Sequence, residues 1–399
     1  MIELCNKDVC TGCFACYSTC PKQAITMQTD EEGFLQPHID IKRCIECGNC
    51  MATCPIIKPM AINSKRPLAL YAICNKINSE RQISASGGFF SVIAKYFMQK
   101  LHGYVCGVVF DEQFNVVHYI SNNTADISKF SGSKYVQSNI RNCFIEIKKL
   151  LKQNLQVVFS GTPCQVAGLL RYLKRSYDNL TTVEVVCHGV PSPLFWKEYL
   201  KNEEFMHGKQ IVNVNFKNKK FGYASSSMQI RYNDGTTTNR GHEIDYMLRA
   251  FTKNMINRNS CFNCHFKGME HHYADFIVLD GWHIGKWNKN MNDDKGVTLV
   301  YLRTSKSEKI FNELKDDMKV QPVEIDDIYA QKDAIMLYNS AQRHPNRDLI
   351  LRCLHEEGFD VMIKKYMPMT WKIRLKSKLK VLLYYTGILK VININKRLI

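Results

Sequence analysis

The sequence predicts a multidomain protein of mixed α+β and α/β class: a small cysteine-rich amino-terminal domain, a mixed α/β domain, a β-rich second part and a helical carboxyl-terminal tail. Three observations lead there. The cysteine run CTGCFACYSTCP at Cys10 returns as CIECGNCMATCP at Cys44, the mark of a duplicated half-domain. From Leu68 to about Cys187, short apolar runs (LALYAIC, GYVCGVVF, LQVVFSG, TVEVVC) alternate with helical patterns such as FFSVIAKYFMQKL and CFIEIKKLLKQ, an alternation that argues for strands paired at least partly in parallel. From Ile211 to about Leu302 the runs IVNVNFKN, SSMQIRYNDGTTTN, ADFIVLD and VTLVYLRT read as strands, with Asn233-Asp234-Gly235 as a turn, and beyond Ser307 the pattern is mainly helical. The expected boundaries are residues 1–60, 68–185, 186–330 and 331–399, with IIKPMAINSKRPLAL as the linker out of the first unit.

At 399 residues the chain is long enough for two or three domains, and its 45% hydrophobic and 23% charged content is that of an ordinary globular protein. The unusual number is 17 cysteines. A chain this long that begins MIELCNKDVC, without a basic and then apolar leader, is expected in a reducing cytoplasm, where clustered cysteines bind metal in preference to forming disulfides.

The two cysteine runs each fit C-x2-C-x2-C-x3-C-P, the bacterial run for paired 4Fe-4S clusters, in which the fourth cysteine of each run serves the other cluster. Cys10, Cys13, Cys16 and Cys54 are therefore expected to hold one cluster, and Cys44, Cys47, Cys50 and Cys20 the second. A structural zinc needs four ligands and does not account for eight in this crossed pattern. Cys5 lies outside both runs and is expected to be structural. Such a domain passes single electrons, so the rest of the chain must supply their destination.

Four further cysteines sit in polar, turn-rich contexts: Cys164 in GTPCQ, Cys187 in CHGVPSP, and Cys261 with Cys264 in RNSCFNCHF. Cys74, Cys106, Cys143 and Cys353 lie in apolar or helical patterns and read as core residues. On the residues alone Cys164 has three readings. It is a thiolate activated at a helix start with His188 as base, a metal ligand, or a buried filler; the Cys261/Cys264 pair is a zinc half-site or a redox dithiol.

The formal charge of +17 raises nucleic-acid binding, but its distribution argues against it. Residues 1–60 carry five basic and seven acidic side chains, whereas residues 361–399 carry ten basic and none acidic. More than half of the excess is thus in the tail. WKIRLKSKLKVLLYYTGILKVI has the makings of a basic amphipathic helix of the kind that lies on an anionic membrane, so the expected location is cytoplasmic, with peripheral contact to the inner face of the cell membrane. No run reaches the roughly 18 apolar residues of a spanning helix.

The segments SASGGFFS (Ser84 to Ser91), FSGSKYVQS (Phe130 to Ser138), VVFSGTPCQVAGLLRYL, VEVVCHGVPSPLFWKEYL, FKNKKFGY, RNSCFNCHF, ADFIVLDGW and DDKGVTLVYLRT, in that order, resemble the coenzyme F(420) hydrogenase/dehydrogenase beta-subunit family from about residue 5 to residue 305. The resemblance implies an iron-sulfur flavoprotein oxidoreductase. Cys164, Cys187, Cys261 and Cys264 would ligate a further 4Fe-4S cluster beside FAD. Ser86, Gly87 and Gly88 ahead of a helical run, the loop Ser131, Gly132, Ser133 and Lys134, and the strand-end turn Ser160, Gly161, Thr162 with Gln165 are the expected flavin-binding residues. His188 and Lys219 are the candidate catalytic residues, with Lys295, Asp275 and Asp280 also in matching segments. Leu279 and Gly281 depart from the family pattern, which tends to a small residue and an aromatic there.

Electrons from ferredoxin or another redox protein would pass through the clusters to FAD and on to an organic small molecule; a flavin exchanges electrons singly or as a hydride, which suits the end of such a relay. Relatives act on a deazaflavin or a chlorophyll hydroxymethyl group, and many fused bacterial members resemble proteins encoded with polysaccharide biosynthesis enzymes. The alternative is a non-catalytic electron-transfer subunit that docks on a partner oxidoreductase.

Overall fold

The computed structural model describes residues 3–326 and 334–396; the boundary expected at 330/331 lies outside them. The amino-terminal unit has the expected internal symmetry. The short helices Ala15–Thr19 and Asn49–Thr53 follow equivalent cysteine loops, and strands β1 (Ile25–Thr29) and β2 (Leu35–Ile39) form an antiparallel hairpin between them.

The body is built on one eight-stranded sheet. Its strands are β3 (Ala69–Asn75), β4 (Tyr104–Phe110), β5 (Val116–Ser121), β6 (Val157–Gly161), β7 (Leu180–Val185) and then, past a three-stranded antiparallel meander of β8 (Ile211–Asn218), β9 (Ser227–Tyr232) and β10 (Thr237–Gly241), the strands β11 (Phe276–Asp280), β12 (Thr298–Leu302) and β13 (Met318–Pro322). The order is β13-β3-β12-β11-β7-β6-β4-β5. The pairs β4/β6, β6/β7 and β7/β11 are parallel, and the flanking pairs are antiparallel. The parallel centre explains the unbroken apolar run Val157-Val158-Phe159: both faces of such a strand are covered, so all five β6 residues are buried. The sheet crosses the boundary expected at 185/186, because β11 and β12 from the later stretch complete it.

Helices Phe89–Lys95, continued by a π-helical turn over Tyr96–Lys100, and Pro163–Leu173 supply the expected crossovers. Helix Pro163–Leu173 begins with proline at its first position, where the missing N–H costs nothing, and the Gln165 side chain accepts a 3.0 Å bond from the Thr162 N–H. The four cysteines read as core residues are buried. The tail forms helices Trp371–Tyr385 and Ile388–Lys396, and among the described residues no helix is long and apolar enough to cross a membrane.

Candidate functional site

The carboxyl ends of parallel strands are where open α/β sheets receive ligands. Here β6 runs into Thr162 and Cys164, β7 into Cys187, and β11 into Asp280 and Trp282. The register Asp280↔Thr298 and Thr298↔Ile73 brings the start of β12 and the end of β3, with the Ser84–Gly88 loop beyond it, to the same edge. Thr162, Cys164, Cys187, Asp280, Trp282 and the Ser84–Gly88 loop therefore lie along one rim of the sheet.

In the amino-terminal unit, Cys10, Cys13, Cys16 and Cys54 line one cavity and Cys20, Cys44, Cys47 and Cys50 another. The crossed partition expected from the spacing is thus the partition of the side chains in space. Among the described residues no three His, Cys, Asp or Glu groups converge at single-ion distances. Cys5 also lines the first cavity, with its thiol hydrogen-bonded to Cys10 and Cys54. Those bonds hold Cys10 and Cys54 down to about 6, with Arg258 assisting at Cys10, while burial pushes Cys13 up to about 12.

The second set converges as well. Cys164 stands in the first turn of its helix with Sγ 3.2 Å from Thr162 Oγ1. Cys261 sits in the 3-10 turn Asn259–Asn263, and Cys264 follows it. Burial raises all four thiols, Cys261 to about 12; after burial, the nearness of Cys187 and Cys264 raises Cys164 and Cys261 further, and Cys264 acts on Cys187. Lys267 ties this loop down by donating to the carbonyl of Cys187 at 2.7 Å, and the Cys264 N–H donates to Ser340 Oγ at 3.0 Å.

The two cysteine regions meet. A Cβ at Gly168, one turn into the Cys164 helix, would stand 3.0 Å from both Cβ and Sγ of Cys13, so the helix lies directly against the first cavity and an added methyl would press on Cys13. Arg258, three residues before Cys261, reaches the other way. Its buried guanidinium donates to the carbonyls of Cys10 (2.7 Å) and Leu35 (3.0 Å) and to Gln36 Oε1 (2.6 Å). Nothing in RNSCFNC distinguishes this arginine from a surface cation, and sequence reasoning missed it.

The residues expected around a flavin lie at the rim but are busy with the protein itself. Lys134 Nζ donates to the carbonyls of Lys129, Ser131 and Gly132, and burial pulls it down to about 7. Lys219 Nζ donates to the carbonyls of Arg81 (2.6 Å) and Ser86 (2.7 Å) and is likewise pulled to about 7 by burial. Gln165 Nε2 donates to Ser138 Oγ, completing the cap role of its other atom. Gly87 is wedged against β3 and β12, where a Cβ would meet the Ile73 carbonyl at 2.3 Å, and its N–H donates to Thr298 Oγ1. Ser160 is buried, and its carbonyl pairs with His118 Nε2 at 3.1 Å. Ser131, Gly132 and Ser133 remain half-exposed.

Beside them is a group the sequence only hinted at. Tyr223 and Trp282 stack at 4.6 Å, and Lys217 Nζ lies 4.4 Å from the Trp282 ring centre and 2.6 Å from Asp280 Oδ2, whose other oxygen accepts from Tyr223 at 2.6 Å. His188 is set edge-on to Phe251 at 5.1 Å, and Phe251 stacks on Tyr135 at 4.3 Å, which links the third cysteine set to this rim. Asp275 is a structural carboxylate that accepts from Thr182 and Thr304, and Lys295 is exposed.

Comparison with known proteins finds relatives of both parts of the chain. The family model for the carboxyl-terminal part of the coenzyme F420 hydrogenase/dehydrogenase beta chain matches residues 155–328, and that of a 4Fe-4S dicluster domain matches residues 9–56. An uncharacterized protein of Methanocaldococcus jannaschii is 23% identical over 344 residues (77% of this chain, 87% of that one), and a subunit of the F(420)H(2) dehydrogenase of Methanosarcina mazei is 20% identical over 334 residues (80% and 86%). A chain of the F420-reducing [NiFe] hydrogenase complex from Methanosarcina barkeri superposes with TM-score 0.44 at 15% identity, covering 76% of this chain and 94% of that one. Residues 155–328 thus match the carboxyl-terminal part of the coenzyme F420 hydrogenase/dehydrogenase beta subunit and residues 9–56 a 4Fe-4S dicluster domain, and the chain is an iron-sulfur electron-transfer protein related to that beta subunit.

Proposed function

We propose that the chain is a three-cluster reductase in which electrons from ferredoxin or a similar redox protein enter the amino-terminal domain and leave toward an organic substrate at the rim of the sheet. Cys10, Cys13, Cys16 and Cys54 would hold one 4Fe-4S cluster, Cys20, Cys44, Cys47 and Cys50 the second, and Cys164, Cys187, Cys261 and Cys264 a third. FAD is the proposed terminus, received by the Ser86–Gly88, Ser131–Lys134 and Ser160–Thr162 loops; it would supply the conversion between single electrons and a hydride. Lys219 contributes by fixing the Ser86 loop through its two carbonyl contacts, which makes it a positioning residue, and His188 keeps a buried Nε2 that finds no hydrogen-bond partner among the described residues, near the third cysteine set.

The observation that carries the reading is the Gly168 contact: the helix that presents Cys164 rests directly on Cys13, so the third set is in line with the first cavity. Anaerobic purification with iron, sulfide and flavin analysis tests it. About twelve irons and one FAD per chain are expected, and eight irons without flavin would overturn it.

That second outcome belongs to the alternative of a non-catalytic subunit docking on a partner oxidoreductase. A specific observation favours it: Lys134 and Lys219, the cations nearest the Gly-Ser loops, spend their donors on protein carbonyls and not on an open phosphate-sized space.

A further inference from the structure

The helix Trp371–Tyr385 has apolar side chains on two opposite faces. One face holds Ile373, Val381 and Tyr384, which are half-buried against the body; Tyr384 meets Phe221 edge-on at 5.1 Å, and Lys380 on the same side pairs with Glu243 at 3.9 Å. At 100° per residue, Trp371, Leu375, Leu379, Leu382 and Tyr385 fall within an arc of roughly 120° on the other face. All five are more than half exposed. Lys378 stands inside this stripe, with Arg374 on one border and Lys372 and Lys376 on the other, all exposed. Ile388 and Val391 extend the exposed apolar surface onto the last helix.

The base beneath the stripe is firm. Asn393, buried, accepts from Ser225 Oγ at 2.8 Å and donates to the Phe221 carbonyl and to Asp294 Oδ2, both at 2.9 Å. The stripe is therefore presented outward by a helix pair secured to the body.

We infer that this face docks the protein on the surface of an anionic lipid bilayer. Charge complementarity selects the occupant: residues 361–399 carry ten basic and no acidic side chains, and long basic side chains bordering a stripe of Leu with Trp and Tyr at its ends match the headgroup and acyl boundary of an acidic membrane. The helix lies on such a surface and does not cross it, since it is too short and too charged to span.

The test is flotation of the full, cluster-loaded chain with vesicles of phosphatidylglycerol and phosphatidylcholine, against vesicles of phosphatidylcholine alone. Binding is expected to the first only and to weaken with added salt. Lys372→Gln/Lys376→Gln/Lys378→Gln should lower the partition on the order of a hundredfold, from about 1 kcal/mol per basic residue near the surface. Leu375→Gln/Leu379→Gln/Leu382→Gln should abolish it with iron content unchanged, since those side chains are exposed. No flotation, or equal flotation with neutral vesicles, would overturn the proposal. So would concentration-dependent self-association without lipid that the leucine variant abolishes, which would give the stripe to a second copy of the chain.

Discussion

Arg258→Ala should lower the unfolding temperature of the loaded protein by about 5 °C. The buried guanidinium makes three hydrogen bonds, at 2.6, 2.7 and 3.0 Å, to groups of the amino-terminal unit. A bond from a charged donor contributes about 1.5–3 kcal/mol, and the alanine variant leaves the Cys10 and Leu35 carbonyls without this donor. Water entering the gap recovers part of that, so a net loss of about 4 kcal/mol is the working figure, and at about 2.1 cal/mol/K of unfolding entropy per residue over a 399-residue chain the shift is about 5 °C. Calorimetric scans at one fixed rate, under anaerobic conditions, make the comparison. Arg258→Lys keeps the charge but not the planar fork and should recover only part of the loss. The measurement has a second arm: limited proteolysis in the stretch between residues 56 and 68 should accelerate as the amino-terminal unit loosens. An alanine variant unfolding within about 2 °C of the parent, with unchanged proteolysis, would refute the clamp.

Gly168→Ala places a methyl group 3.0 Å from Cys13 Cβ and Sγ; overpacking of this kind costs about 1–3 kcal/mol, and iron analysis should show the cost as partial loss of the first cluster while Gly168→Ser fares no better. Cys164→Ser should lose about four irons and keep the amino-terminal eight, whereas a variant of a nucleophile would keep all its iron and lose only turnover. His118, buried and held to about 4 by desolvation, must take up a proton on unfolding between its ordinary value and that one. Stability should therefore fall as pH drops from about 6.5 to 4 and level off below, by up to about 3 kcal/mol from this group, and His118→Phe, which keeps the stacking on Phe159, should flatten the loss in denaturant titrations.

The cysteine spacings were the most legible part of the chain, because a covalently local run of ligands dictates its own loop: the partition of eight cysteines between two cavities follows from counting residues. Strands were legible for a similar local reason, an unbroken apolar run such as Val157-Val158-Phe159 or a turn such as Asn233-Asp234-Gly235. Strand order was not. Phe276–Asp280 and Thr298–Leu302 carry no mark that sends them past the β8–β10 meander into the sheet of β3 to β7; that choice is made by long-range packing. Lys134, Lys219 and Gln165 are the instructive cases. Their residue types suit a ligand loop, yet the same donors serve the fold: Lys134 satisfies carbonyls of its own loop, Lys219 those of Arg81 and Ser86, and Gln165 the Ser138 hydroxyl, pairings that no local pattern announces. Cys5, outside the motif by spacing, is inside the first cavity by geometry.

At the tip of the β1–β2 hairpin, a Cβ on Gly33 would lie 2.3 Å from that of Leu194, at the start of helix Pro193–His207. Phe34 beside it is buried with Phe195 and Trp196, the Glu32 carboxylate is gripped by Arg347, and Ser192 Oγ donates to the Glu32 carbonyl. The electron-carrying unit is thus not a pendant on a tether that swings to meet its acceptor, the default for domains joined by a linker. It is fixed against the body at this hairpin tip, so in the proposed relay the gap an electron must cross would be set by the fold. If the proposed relay operates, its rate would be governed by the relative potentials along it and by the docking of its external partner.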